Sequence, residues 1–325
     1  MMRKLVIILI CCIYNTAALF ATGIADNFHF THFKSADGLP HQQIQAMAFD
    51  HDGRLWIGTR NGLASYDGYG FTTYYHNPGD PNSLPHHFVL SMFVDSRGTV
   101  WISTENGMCR YLPSTDSFEK VQVDERRIFC ICETQEGNII CGGGRVYLGD
   151  GISPKFQYMP RQRESDVRGI AVSHDNRVYI TTDDAVTYYD SKMQSSTQVD
   201  LGLFSSSLRG NDGIAPLIFD SNGRMWVSLN GNGVMCYDDE KGERVRYDSS
   251  RLTSGTVRAI AEDSRGNIWL GTERGLNIIN PSTGVITQVT QDLVNPTKLN
   301  DNAIYCIVPD RNDNIWIGTY FGGIN

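Results

Sequence analysis

The sequence is short of positive charge. Its 325 residues carry 28 Lys and Arg against 36 Asp and Glu, a formal net charge of −8. A nucleic-acid footprint would be basic, so that class of partner is excluded, and nothing favours an anionic membrane surface. Beyond the first 25 residues no apolar run reaches spanning length, so no transmembrane helix is expected there. No stretch shows the 3.6-residue period of a long amphipathic helix. The eight cysteines fit no zinc-ligand spacing. Against these absences stand 41% hydrophobic and 10% aromatic residues. That is enough for a sizeable core and argues against low-complexity disorder.

The start of the chain reads as a targeting signal. Arg3 and Lys4 precede an apolar stretch over 5–13, and "ATGIA" supplies small residues before Asp26. Residues 1–25 are therefore expected to be a secretory signal, cleaved near Ala25, leaving 26–325 as one exported, soluble domain. Cleavage removes two basic residues and takes the balance to −10. Cys11 and Cys12 fall in the signal. Cys109, Cys130, Cys132, Cys141, Cys236 and Cys306 mostly sit in apolar alternating runs and are expected as buried free thiols. The trio Cys130, Cys132 and Cys141 is the one place where a disulfide is conceivable.

The stretch "DHDGRLWIGTRNGLASYD" at 50–67 returns as "DSRGNIWLGTERGLNIIN" at 263–280. With its Trp as anchor, the repeat runs through Trp56, Trp101, Ile140, Tyr179, Trp226, Trp269 and Trp316, so all five tryptophans lie on one grid. Six residues before each anchor stands Asp50, Asp95, Thr134, Ser173, Asp220, Asp263 or Asp310. Three before stands Gly53, Gly98, Gly137, Asn176, Gly223, Gly266 or Asp313. A hydrogen-bonding side chain followed three residues on by one that tolerates positive φ predicts a type I hairpin turn closed by a bulge. Two residues past the anchor the side chain is small: Gly58, Ser103, Gly142, Thr181, Ser228, Gly271 and Gly318. That lets neighbouring sheets approach closely. Four strand-like runs per unit, seven times over, predict an all-β fold, a seven-bladed β-propeller of four-stranded antiparallel blades. An elongated β-solenoid is the weaker alternative, because its repeats are shorter and its strands parallel. The last unit stops midway through its third strand at "YFGGIN", as in a truncated gene or a fragment. The orphan run "FHFTHF" at 28–33 is expected to return as the missing fourth strand and close the ring; the alternative is a loose N-terminal arm.

The pattern "D-x-x-G-x-[LI]-W-I-G-T-x-x-G-L", carried by "DHDGRLWIGTRNGL", "DSRGTVWISTENGM", "DSRGNIWLGTERGL" and "DRNDNIWIGTYFGG", resembles the two-component regulator propeller repeats. The resemblance covers nearly all of 28–325. It implies the N-terminal periplasmic propeller of a hybrid two-component sensor histidine kinase from polysaccharide-degrading bacteria. A second propeller, a β-sandwich, a membrane helix, a kinase, a receiver and a DNA-binding module usually follow in such sensors. None of these is encoded in this sequence.

Successive hairpins alternate sides, so the Asp–Gly turns share one face with the loops joining third and fourth strands. The other face collects the turns after the anchors and the long loops between blades. Candidate ligand-binding residues on that rim are Arg60, Asn61, His86, His87, Glu105, Asn106, Asn230, Glu273, Arg274, Tyr320 and Phe321. Their mixture of polar and aromatic groups suits a polyol or an oligosaccharide, although any one of them could simply solvate a loop. "GTRNG" and "GTERG" lack the Lys-Ser/Thr and helix of a phosphate loop. "DHDG" opens like a calcium loop but lacks further ligands. His86 with His87, and His29 with His32, have no third metal ligand in view. Asp183 and Asp184 are adjacent and would diverge on a strand, and no nucleophile elbow appears. No catalytic group, metal or cofactor is expected. The leading expectation is a periplasmic sensor of glycan breakdown products, with a homodimer and downstream kinase modules as further partners. The alternatives are a carbohydrate-active propeller enzyme and a protein-interaction scaffold.

Overall fold

The structure, a computed structural model, describes residues 28–160, 165–190, 192–202 and 215–325. The signal expected at 1–25, with Cys11 and Cys12, and part of the loop "MPRQRESDV" lie outside the described residues. Strands Ile44–Phe49, Leu55–Thr59, Gly62–Tyr66 and Phe71–Tyr74 pair antiparallel in chain order as the first sheet. Five more four-stranded sheets of the same order follow, over 89–120, 130–159, 167–198, 217–247 and 257–289. A seventh sheet holds only Ile304–Pro309 and Ile315–Thr319. The first strands of successive sheets touch one another in a cycle that returns from Ile304–Pro309 to Ile44–Phe49. This is an all-β propeller with six four-stranded blades where seven were expected. The shortfall has a plain cause: in the seventh unit the chain contributes, beyond its second strand, only isolated bridges from Ile324 to Gly318 and to Phe33.

The expected turns are present in every unit. Gly53, Gly98, Gly137, Asn176, Gly223, Gly266 and Asp313 all have φ between 63° and 83°, the left-handed region that glycine, asparagine and aspartate tolerate. Each tryptophan is tied to its own turn. The indoles of Trp56, Trp101, Trp226, Trp269 and Trp316 donate to Asp50, Asp95, Asp220, Asp263 and Asp310 at 2.8–3.1 Å. The other oxygen of the same carboxylate accepts the N–H groups two and four residues on, as with Arg97 and Thr99 on Asp95 at 3.0 and 2.8 Å.

The small residue two places past the anchor faces the next sheet. A Cβ on Gly58 would collide with Val89, on Gly271 with Ile304, and on Gly318 with Cys306 and Ile44. Where the residue carries a hydroxyl, it donates across the same seam: Ser103 to Ile128 O, Thr181 to Ala215 O at 3.1 Å, and Ser228 to Val257 O at 3.0 Å. The six cysteines among the described residues are free thiols, five of them buried. Burial pushes the Cys132, Cys236 and Cys306 thiols up to about 12.

Trp101→Phe removes the third donor from Asp95, whose side chain is 0% exposed, and should cost about 1–3 kcal/mol. Gly271→Ala should cost about 1–3 kcal/mol by overpacking the seam between sheets six and seven. Urea titration of each variant checks both values. A third expectation concerns acid. Burial raises the Asp263 and Asp310 carboxyls, but the indole, the Asn267 or Asn314 side chain and backbone N–H donors outweigh it and hold both below the ordinary carboxylate range. A carboxyl lowered on folding contributes stability above its unfolded pKa and loses it as pH falls through the folded one. The melting temperature should therefore hold above about pH 5 and fall below about pH 4, less steeply in Asp263→Asn.

Candidate functional site

On the rim opposite the Asp turns, the residue three past the anchor is a threonine in five of the seven units. Thr59, Thr104 and Thr272 donate their hydroxyls to Gly62 O, Gly107 O and Gly275 O at 2.8 Å. The same oxygens accept the N–H of Asn61, Asn106 and Arg274 at 3.1–3.3 Å. Each hydroxyl thus fixes the tight turn that carries the residue four past the anchor. Facing those residues are side chains from β-bulges. Five first strands slip register by one residue near their start, at Gln45, Leu90, Arg168, Arg258 and Tyr305. A bulge re-aims its extra side chain.

The candidates fall into three groups around this rim. Between sheets one and two, the Arg60 guanidinium lies 5.6 Å over the Phe88 ring and reaches Gln43 Oε1 at 3.4 Å. His86 and His87 join His76, with ring centroids 5.6–6.4 Å apart; His86 Nδ1 accepts the Phe88 N–H at 3.1 Å. Between sheets two and three, Glu105 pairs with Arg127 at 3.2 Å and Asn106 accepts from Arg126 at 3.1 Å. Between sheets six and seven, Glu273 pairs with Arg258, whose guanidinium lies 4.8 Å over the Tyr305 ring. Tyr305 stands 5.2 Å from Tyr320, and Tyr320 packs against Phe321, 73% exposed. Arg274 and Asn61 point to solvent, and Asn230 takes φ 47° in its turn.

The reading from sequence missed the partners. Arg258 and Tyr305 complete the third group, and Arg168 forms a bidentate pair with Asp183 at 2.8 and 3.1 Å. Their signal was the polar or aromatic residue after the first buried position of a strand, as in "VRGIAV" and "VRAIAE", which breaks the apolar run. Among the described residues no group of three His, Cys, Asp or Glu is arranged to hold a metal ion. No described helix is long and apolar enough to cross a membrane. A cleft of about 490 Å³ lies away from this rim, on the flank of the seventh sheet.

A family model described as "Two component regulator propeller" matches residues 38–61, 83–106, 251–274 and 298–321. The chain carries two component regulator propeller repeats. The matched repeats hold Trp56, Trp101, Trp269 and Trp316, each with its aspartate bond. Two extracellular domains from B. thetaiotaomicron, each assigned to a hybrid two component system, share the fold. One superposes with TM-score 0.78 at 19% identity and the other with 0.76 at 21%, each over 91% of this chain. "Histidine kinase P4" of Formosa agariphila is 42% identical over 57 residues, 18% of this chain. The chain spans only 41% and 39% of the two domains, and the kinase match only 4% of that protein.

The Arg258 and Glu273 side chains are 25% and 32% exposed. A double-mutant cycle on stability should give a coupling of only about 0–1 kcal/mol, so substitutions there should leave a folded propeller for binding tests.

Proposed function

We propose that this propeller is the ligand-sensing part of a hybrid two-component sensor, exported by the signal at 1–25, with 26–325 as its periplasmic domain. It recognises glycan breakdown products at the rim and acts with downstream kinase modules. The observation that carries this reading is the group formed by Arg258, Glu273, Tyr305 and Tyr320. A charged pair offers donors and acceptors to adjacent sugar hydroxyls, while two tyrosine rings beside it offer an apolar face to the ring. Such a mixture suits an oligosaccharide better than a phosphate or an apolar ligand. The regulator repeats and the shared fold with extracellular sensor domains support the signalling half of the reading.

The same proposal takes the seventh sheet as the seventh blade. Its support is the closed cycle of first strands, together with the bridges that put Ile324 in third-strand place and Phe33 in fourth.

A thermal-shift screen of the purified chain against an oligosaccharide library tests the sensing function. A true ligand at 100 times its Kd should stabilise by about 2.7 kcal/mol through mass action. That shift should disappear in Arg258→Ala and Tyr320→Ala but persist in Arg274→Ala. A library without a stabilising glycan, or a shift untouched by both rim variants, would sink the rim assignment.

A further inference from the structure

In three units the residue two before the anchor folds back onto its own turn aspartate. Arg224 donates to Asp220 at 2.7 Å, Asn267 to Asp263 at 2.9 Å and Asn314 to Asp310 at 2.9 Å. Arg54 holds the same place beside Asp50, yet its guanidinium makes no hydrogen bond or ion pair among the described residues. It lines instead a polar hollow of about 270 Å³ between the outer strands of sheets one and two. A guanidinium has five N–H donors and keeps its charge, so an idle one at such a hollow calls for an acceptor from outside.

The floor of the hollow is where sheet one departs from its neighbours. Ser65 lies opposite Trp56, and Thr72 opposite Ser65. The same two places hold Arg110 and Glu119 in sheet two, Tyr188 and Thr197 in sheet four, and Ile278 and Thr287 in sheet six. Two short side chains leave open what bulk fills in those sheets. Ser65 is 4% exposed, lines the hollow and has no hydrogen-bond partner among the described residues. A buried hydroxyl is seldom left so.

Two carboxylates line the same hollow. Tyr74 of sheet one and Tyr111 of sheet two both donate to Asp116 Oδ1 at 2.8 Å. Burial, and then that bond, pushes both hydroxyls up, so they remain donors. Asp67 Oδ1 accepts the Gly70 and Tyr69 N–H groups, each at 2.9 Å, which hold its carboxyl below the ordinary range. In both aspartates Oδ2 is left without a partner among the described residues.

The charges select the ligand. One guanidinium against two carboxylates leaves the hollow with an excess of negative charge, which repels a simple anion. A simple cation would leave Arg54 idle, and a neutral sugar would compensate neither sign. Nor is a sugar offered a ring face, since Tyr74 stacks on Trp56 at 5.8 Å and Tyr111 is 8% exposed. We propose that this hollow binds a free basic amino acid. Its carboxylate rests on Arg54 and the Ser65 hydroxyl, and its two cationic groups rest on Asp67 and Asp116, so the groups match one for one. The hollow lies on the side of the Asp turns, away from the rim, and is independent of the glycan reading.

Titration calorimetry of the purified chain with L-lysine is the test, with the Arg54 Nε–H signal followed by NMR as the local readout. L-lysine should bind and shift that signal. Cadaverine, which lacks the carboxylate, acetate, which lacks the cations, and glucose should each bind at least about tenfold more weakly. Arg54→Gln should weaken lysine by a similar factor. Ser65→Ile recreates the Ile278–Thr287 pair of sheet six, so it should keep the melting temperature and abolish binding by filling the hollow. Arg258→Ala, on the rim, should bind lysine as before. The proposal fails if lysine does not bind, or if cadaverine, acetate or glucose binds as well as lysine. It fails too if Arg54→Gln or a folded Ser65→Ile binds lysine undiminished. Loss of lysine binding in Arg258→Ala would place the ligand on the rim and overturn it as well.

Discussion

A carboxylate that gathers two backbone N–H groups and an indole organises five of the seven units. The aspartate six residues before the anchor closes its turn through two backbone N–H groups and holds the indole with its other oxygen. The turn is thereby locked to the largest side chain of the core, and the second strand is set in depth and rotation. The chain itself gives the control. In the third and fourth units the aspartate is Thr134 or Ser173, and there the anchor is Ile140 or Tyr179. An isoleucine has no N–H to give. The hydroxyls of Thr134 and Ser173 still accept the N–H four residues on, from Asn138 at 3.3 Å and Arg177 at 3.1 Å. Turn and anchor change together, because a buried carboxylate short of a donor and an indole short of an acceptor would each be costly.

With depth fixed, the contact between blades follows. The residue two past the anchor meets the next first strand so closely that it is either glycine or a hydroxyl that bonds the facing carbonyl. On the Asp face, turns are also buckled from blade to blade. Ser96 bonds Glu133 through its N–H and hydroxyl at 2.7 Å, and Ser221 does the same to Glu262 at 2.7 and 2.6 Å. Ser264 is the corresponding residue of the sixth unit, and the corresponding place in the seventh is Pro309, which offers no carboxylate. The seam between sheets six and seven thus lacks this serine–glutamate buckle.

The fold was legible because its determinants are local and repeat. A residue able to take positive φ, an acceptor three before it and a small residue five after it are visible in seven copies. Much of the site was not legible, for a physical reason. Arg60, Glu105, Glu273 and Tyr320 sit at a fixed offset from the anchor, so the sequence alone could put them on one rim. Arg258, Tyr305 and Phe88 meet them only because bulges and blade adjacency bring distant segments together, and periodicity alone carries no information about that. His76 joined His86 and His87 in the same way, across the loop bent by its bond to Leu84 O at 2.7 Å. In the seventh unit, where the repeat predicts four strands, the described residues form two paired strands and isolated bridges at Ile324.

The repeats also indicate where function belongs. Positions that hold the blade scarcely vary along the chain: the turn acceptor, the left-handed residue, the anchor and the small residue past it. The place four past the anchor reads Arg60, Glu105, Gly144, Asp183, Asn230, Glu273 and Tyr320, six residue types over seven equivalent turns. The facing first-strand position reads Gln45, Leu90, Phe129, Arg168, Ala215, Arg258 and Tyr305. A position that needed only to solvate a turn would be served by any one polar residue repeated, and a packing position would be held to one shape. Variety on both sides of the same junction, with opposite charges matched at Arg168–Asp183 and Arg258–Glu273, is what an asymmetric surface on a symmetric scaffold requires. The ring repeats to make the support rigid. The rim departs from the repeat, and only there can a propeller distinguish one orientation of a ligand from another.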